Sequence, residues 1–383
     1  MAVSAQQSLR RLTIIVAMQW MGATLGLPLL PLFLEQRRGT ASLVGLVMAS
    51  FFLAGVATQF LFGRVSDRFG RRRVLVLGLV SYGVASMSYL LPVGAGWFAV
   101  TRAVQGASAG AIEVASLSAV AALFSEQTRG RAVSKILAAQ LFGIAVGPLV
   151  GSAASVGDLG WAFFATGLAS LAAAFVASRI TLGDRAYSAT PLPKLRWSNQ
   201  LRGALMAAVA SGLVIGVYEG CWTLLLHAHH ATTLQIRLSW TMFALPWVAL
   251  ARVGGWLADH GNRRVTALAG LISGALFLAL YPHVHNNVVM LFLGSVESIG
   301  AALSVPSISS LMSQGASDHE LGRRQGLYTT SSTGALAVAA GLSGVLFTIN
   351  TALPFAAAAA ASIAFALTTL YWWRHVEGRV PHP

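Results

Sequence analysis

An all-α membrane protein of twelve transmembrane helices, arranged as two six-helix bundles, is the fold class this chain predicts, and three observations carry it. Of the 383 residues, 56% are hydrophobic and only 10% are charged, with a mean hydropathy of +0.69, well outside the range of soluble domains. Uncharged or nearly uncharged stretches recur along the whole length. A polar stretch near the middle separates two halves that share a loop pattern.

The clearest apolar windows are 12–34, 39–63, 136–157, 160–178, 327–350 and 351–373. Each approaches the ~20 residues a helix needs to cross a ~30 Å hydrocarbon core. Six more are shorter or carry one or two charges: 74–91, 97–124, 203–226, 238–258, 265–281 and 287–312. A membrane barrel would need short alternating segments, whereas these windows are continuously apolar, so helices are expected.

The formal net charge of +14 could suggest nucleic acid, but its distribution argues otherwise. With the amino terminus in the cytoplasm, 22 of the 26 Lys and Arg residues fall at cytoplasmic ends. Arg37, Arg38 and Arg237 fall outside, and Arg102 lies within a span. That bias orients a multi-pass chain with both termini in the cytoplasm. The lone Cys221 excludes an intrachain disulfide. The first span lacks a cleavage site after a short apolar core and reads as retained. Arginine outnumbers lysine 24 to 2, a compositional hint of a bacterial source and so of the bacterial cytoplasmic membrane.

Residues 63–75 read GRVSDRFGRRRVL, and residues 255–268 read GWLADHGNRRVTAL. Gly63 and Asp67 recur as Gly255 and Asp259, both displaced by 192 residues, with a basic cluster after each. Residues 181–202, with prolines and mixed charges, suit a cytoplasmic linker between bundles at 1–180 and 203–383. A six-plus-six chain with a duplicated loop suggests two parallel bundles flanking a substrate site near the midplane.

These segments resemble the major facilitator superfamily, and within it the twelve-helix drug:proton antiporters. Gly63-Arg64-Val65-Ser66-Asp67-Arg68-Phe69-Gly70-Arg71-Arg72-Arg73 is similar to the family's loop motif after the second span. Arg102-Ala103-Val104-Gln105-Gly106 is similar to its fourth-span motif, and Gly143-Ile144-Ala145-Val146-Gly147-Pro148-Leu149-Val150-Gly151 to the fifth-span antiporter motif. Ser152 stands where that motif usually has glycine. Gly22 with Pro28 and Pro31 resembles the first-span motif of proton-driven exporters.

The charged residues can be weighed beside that resemblance. The loop arginines, Arg68 and Arg71 among them, act first as topology signals. Gly63 allows close approach of a neighbouring helix, and Gly70 a tight turn. Asp67 can pair with arginine or accept from a helix start, and the resemblance implies a latch that gates the cytoplasmic side. Asp259 would act likewise in the second half. Arg102 and Glu113, eleven residues apart, share a helix face but lie ~16 Å apart along its axis, too far to pair. Arg102 could bond backbone carbonyls, or modulate a protonation site as the resemblance implies. The resemblance also implies that spans 1, 4, 7 and 10 line the cavity, which places Glu113, Glu219 and Glu297 there. A poorly hydrated carboxyl can take up a proton from one side and release it to the other. Glu219 and Glu297, with no arginine on their own spans, rank above Glu113 for that role; Glu113 ranks first for a cationic substrate. Gly143, Gly147 and Gly151 make a smooth face for tight packing, and Pro148 a bend, a seal for the outer side.

His227, His229, His230, His283 and His285 gather at outer ends, where histidines without a ligand are far commoner than a metal site. Tyr371, Trp372 and Trp373 read as an interface belt. There is no phosphate-binding Gly-x4-Gly-Lys-Ser/Thr loop, no catalytic triad and no metal-ligand spacing. The expectation is a secondary transporter rather than an enzyme, exporting small amphipathic or drug-like compounds against protons, with no cofactor and a single chain sufficing. A proton-coupled importer of a sugar or other metabolite, or a lipid translocator, keeps the fold with other cargo or direction. A sensor or membrane-embedded enzyme on the same scaffold fits less well.

Overall fold

A computed structural model describes residues 2–124, 126–151, 155–180, 195–316 and 318–378. Fourteen α-helices run through them: α1 (Ala2–Leu25), α2 (Leu30–Gln36), α3 (Ala41–Phe69), α4 (Arg71–Met87), α5 (Trp97–Leu123), α6 (Glu126–Val150) and α7 (Leu159–Ser178), then α8 (Asn199–Val217), α9 (Thr223–Ala228), α10 (Thr233–His260), α11 (Arg263–Leu280), α12 (Asn287–Ser313), α13 (Asp318–Ile349) and α14 (Leu353–Trp373). Two pairs act as single spans. A 3₁₀ turn at Leu27–Leu29, set by Pro28, joins α1 to α2, and a π-helical turn at Tyr218–Trp222 joins α8 to α9. That leaves twelve spans. Among the described residues, eleven are long and apolar enough to cross a membrane by composition; the twelfth, α5, is 27 residues long and carries Arg102 and Glu113.

The helices fall into two compact units. The first holds α1, α2, α4 to α7 and α3 from Ser50 onward; the second holds α8 to α14 together with Ala41–Ala49. In the first, α1 packs on α6 and α7, and α4 on α5 and α7. Its core joins Leu12, Ile15, Leu75, Leu79, Ala115 and Ala174. In the second, α8 packs on α13 and α14, and α12 on α10 and α11. Its core centres on Leu201, Ala204, Leu271, Leu311 and Trp373. Large apolar side chains also cover the outside, among them Leu77, Trp161, Phe175, Trp256 and Phe292. An apolar exterior of that extent suits lipid rather than water.

Four spans of the second unit begin on a capping side chain. Ser198 accepts from the Leu201 amide, Thr232 and Gln235 form a reciprocal capping box, and Asn262 and Asn286 each accept from two amides. The Ser198 cap starts α8 at Asn199, four residues ahead of the boundary at 203 that the polar stretch suggests. Of residues 181–202, the linker expected from sequence, 181–194 lie outside the described residues.

Candidate functional site

Glu297 sits eleven residues into α12, and only 5% of its surface is exposed. Three hydrogen bonds hold its carboxylate. Tyr218 Oη donates to Oε1 at 2.7 Å and lies 2.8 Å from Oε2, and Tyr281 Oη donates to Oε2 at 2.8 Å. Apolar rings surround the phenols. Trp222 lies edge-on to both tyrosines, at 5.6 Å from Tyr218 and 4.9 Å from Tyr281, and Phe243 of α10 is 6.4 Å from Tyr218. A buried carboxylate is tolerable where such donors replace water.

The π turn sets this geometry. A π turn takes more residues per turn than an α-helix, so side chains before and after it are re-aimed relative to one another. One segment thereby serves two neighbours: Tyr218 reaches Glu297 on α12, while Trp222 Nε1 donates to Ser239 Oγ on α10 at 2.9 Å. Glu219 lies half-buried in the same turn, next to Tyr218.

Arg102 of α5 is 2% exposed and belongs to a different kind of cluster. Its guanidinium donates to Gln105 Oε1 at 3.3 Å and lies 4.2 Å from the centre of the Phe51 ring. Gln105 in turn donates to Ser86 Oγ at 2.9 Å and accepts from Tyr89 Oη at 3.4 Å. Tyr89 is stacked between Phe98 and Phe163, at 4.8 and 4.1 Å. Gly106, the last residue of that motif, lies against the Phe51 backbone, where a Cβ would collide with the carbonyl. Glu113, half-buried, stands eleven residues further along α5.

Gly143, Gly147 and Gly151 face α1: added Cβ atoms would strike the backbone of Ala17, Met21 and Leu25 and the Thr24 side chain. Thr24 Oγ1 lies 3.2 Å from the Gly143 carbonyl, which accepts its proton. α6 continues through Pro148 to Val150, and Ser152 lies outside the described residues. Gly22, in the first-span motif, meets Thr166 of α7.

The duplicated loops differ. The side chains of residues 59–68, including Asp67 and Arg68 and the Gly63 position, lie outside the described residues, although α3 extends to Phe69. Gly70 has φ 90°, a left-handed conformation open to glycine at little cost, and Arg71 after it is buried. In the second loop Gly255 faces open space, and the close approach falls one residue earlier, where Gly254 meets the backbone at Ala302. Asp259 is exposed. The basic residues beyond it hold the carboxyl-terminal segment: the Arg263 amide donates to the Gly378 carbonyl at 2.9 Å, and Arg264 donates to the Val376 carbonyl at 3.2 Å.

Of the histidines, His229 and His285 stack at 5.3 Å with their rings parallel, and His229 Nδ1 lies 3.1 Å from the Val284 carbonyl. Partial burial pushes the His229 imidazole below its usual range, against the pull of that carbonyl. Among the described residues no group of three or more His, Cys, Asp or Glu is placed to hold a metal ion.

A model of the Major Facilitator Superfamily matches residues 12–226 and 203–383, which is nearly the whole chain. The chain belongs to that superfamily. Among members of the Major Facilitator Superfamily, it is 30% identical to a chloramphenicol resistance protein of Pseudomonas aeruginosa over 275 residues, 68% of this chain and 65% of that one. It is 23% identical to multidrug resistance protein 2 of Bacillus subtilis over 92% of both chains. The chain spans less than two thirds of the length of several curated relatives it matches. The fold is also that of a bacterial homologue of the human lysosomal transporter Spinster, solved in an inward-facing, occupied conformation, with a TM-score of 0.78 over 99% of both chains at 11% identity.

Motif matching to the superfamily singles out Arg102, the glycines of α6 and the loop aspartates, but not Tyr218 or Tyr281. Nor does it single out Gly212, Gly216 and Gly220, which face α13 as the α6 glycines face α1. Their four-residue spacing was the available signal.

Proposed function

We propose that this chain is a secondary active transporter that exports small amphipathic or drug-like compounds in exchange for protons by alternating access. The observation that carries this reading is the Glu297 carboxylate, buried at membrane depth inside a ring of aromatic side chains and held by two phenols. An ionisable group so placed is costly to keep and is characteristic of a proton or ion pathway. Protonation removes the charge that the phenols solvate. Export is favoured by the names of the two bacterial relatives and by the glycine-lined packing of α6 on α1.

In this reading Glu219, in the same π turn as Tyr218, is the second candidate for proton exchange, and Glu113 on α5 is the partner of a cationic cargo. Arg102 acts chiefly as a structural cation held by Gln105 and Phe51. Asp67 acts as a latch at the loop between α3 and α4, and the α6 glycines seal the side opposite that latch. The bundles divide near residues 181–202, both termini lie in the cytoplasm, the membrane is the bacterial cytoplasmic one, and one chain suffices.

The test is counterflow and uptake in proteoliposomes, with and without an imposed pH gradient, using one cationic and one neutral amphipathic compound. Antiport gives gradient-accelerated movement opposite to the proton flux, lost in Glu297→Gln. Movement with the proton flux would instead make the chain an importer. A gradient-independent flux in the unsubstituted protein would remove proton coupling.

A further inference from the structure

We infer that Tyr218 and Tyr281 are positioning residues for proton exchange at Glu297, and that the π turn exists to deliver the Tyr218 phenol. This rests on the reading of Glu297 as a proton carrier. The geometry is specific. Tyr218 Oη lies 2.7 and 2.8 Å from the two carboxylate oxygens, bridging them, while Tyr281 Oη bonds Oε2 alone at 2.8 Å. Phenols donate to an ionised carboxylate as water would, and so favour the ionised form in a dry site.

The proton exchanged is added to a carboxylate oxygen, and both phenols keep theirs. Once one oxygen carries a hydrogen, it becomes a donor, and the bridging position of Tyr218 no longer has two acceptors. Whichever oxygen takes the proton, Tyr218 keeps one acceptor and loses the other, whereas Tyr281, just past α11, is disturbed only if the proton goes to Oε2, so protonation always alters the contact made by the π turn. That asymmetry couples the charge on α12 to the conformation of the turn between α8 and α9.

The other charged groups are poorly placed to do this. Ser295 donates to the Met242 carbonyl, so Glu297 lies near the depth of Ala244 on α10. Arg237 and Arg252 on that helix are then each roughly 10–12 Å away along its axis. On α11 the uncharged Gly274 faces Glu297, since a Cβ added there would lie 3.8 Å from Oε1. Glu219 shares the π turn, and Tyr218 and Tyr281 are the groups bonded to the carboxylate among the described residues.

The experiment is infrared titration of the full chain in lipid vesicles, following the carboxyl C=O band between roughly pH 4 and 10, paired with pH profiles of transport. The band belonging to Glu297 is the one absent in Glu297→Gln. Removing a donor to the ionised form moves its midpoint upward. The expected shift is about one pH unit in Tyr218→Phe and less in Tyr281→Phe, with the transport optimum moving in parallel. A merely structural role would lower rates at every pH and leave the midpoint unmoved. Folded Tyr218→Phe and Tyr281→Phe proteins with wild-type midpoints overturn the inference; if Tyr218→Phe does not fold, Tyr281→Phe alone decides. Loss of no band in Glu297→Gln overturns the proton-carrier reading itself, and is distinguishable from the first failure.

Discussion

The two halves contain the same hydrogen-bonded pair with different chemistry. In the first, Tyr89 donates to Gln105 at 3.4 Å; in the second, Tyr281 donates to Glu297 at 2.8 Å. Both members are displaced by the 192 residues that separate the duplicated loops (281 − 89 and 297 − 105). The bond in the second half has the ordinary length of a hydroxyl donating to oxygen, and the one in the first half is long. Gln105 is an amide shared with Arg102 and Ser86, and its polar atoms are met within a fixed network. Among the described residues Glu297 has no such cation bonded to it and has a second phenol instead, from Tyr218, whose counterpart in the first half is Gly26. One repeat position thus serves as framework in one unit and, in the reading proposed, as a proton site in the other. The helix seams differ in a parallel way. The glycine comb lies on α6 against α1 in the first unit, and on α8 and its π turn against α13 in the second, so it has changed partners between equivalent seams.

The largest expected effect tests the first contrast. Glu297→Gln copies the chemistry of the first half, so the protein should fold, yet lose all acceleration by a pH gradient. Gln105→Glu should leave that acceleration unchanged, because Arg102 would hold the new carboxylate ionised. Gradient-driven efflux in vesicles measures both, and a Gln105→Glu protein with altered proton stoichiometry would break the contrast. Next, Gly147→Leu and Gly216→Leu should each destabilise by about 3 kcal/mol, since both would drive side-chain atoms into a facing helix. Gly255→Leu, facing open space, should stay within about 0.5 kcal/mol by thermal unfolding in detergent. If only one comb is sensitive, the seams are not equivalent.

Smaller still, Arg102→Lys should cost about 1 kcal/mol, because an ammonium replaces the planar guanidinium over Phe51 while leaving Gln105 an available donor. Proton coupling should survive. The smallest effect concerns the stacked pair at the α9–α10 turn. His229 has its proton affinity lowered in the folded protein, so its neutral form contributes stability above about pH 6.5 that is lost as pH falls below that value. His229→Gln should therefore unfold with a flatter dependence on pH between roughly 7.5 and 5.5. Equal slopes would show that stacking on His285 is indifferent to charge.

The fold was readable because lipid imposes a long, continuous apolar signal, and twelve such windows leave little freedom. Proline and glycine marked Leu27–Leu29 and Gly70 equally openly. The π turn was not readable: Tyr218–Trp222 contains no proline, and its extra residue is a matter of register against α12 and α10 rather than of local preference. Glu297 stood out as a charge in an apolar window. Its phenols did not, since a tyrosine in such a window has the same pattern whether it fills space or donates to an acid. Only the repeat distance, applied to Tyr89 and Gln105, points to Tyr281. The start of α8 at Asn199 was hidden for a similar reason, because Ser198 reads as one more polar residue until its oxygen is seen on the Leu201 amide.

The α6 comb has one more consequence, for the route by which a greasy molecule could arrive. From Gly143 to Gly151 the two backbones run close together for about 12 Å, with no side chain contributed by the three glycines and the Thr24 side chain of α1 fitted against them. A lipid tail or a dissolved cargo slipping sideways out of the bilayer needs side chains that can swing aside. Here the glycines of α6 offer none and Thr24 is tied to the Gly143 carbonyl, so parting the wall means pulling whole helices apart. Lateral entry through the first unit is closed along that line.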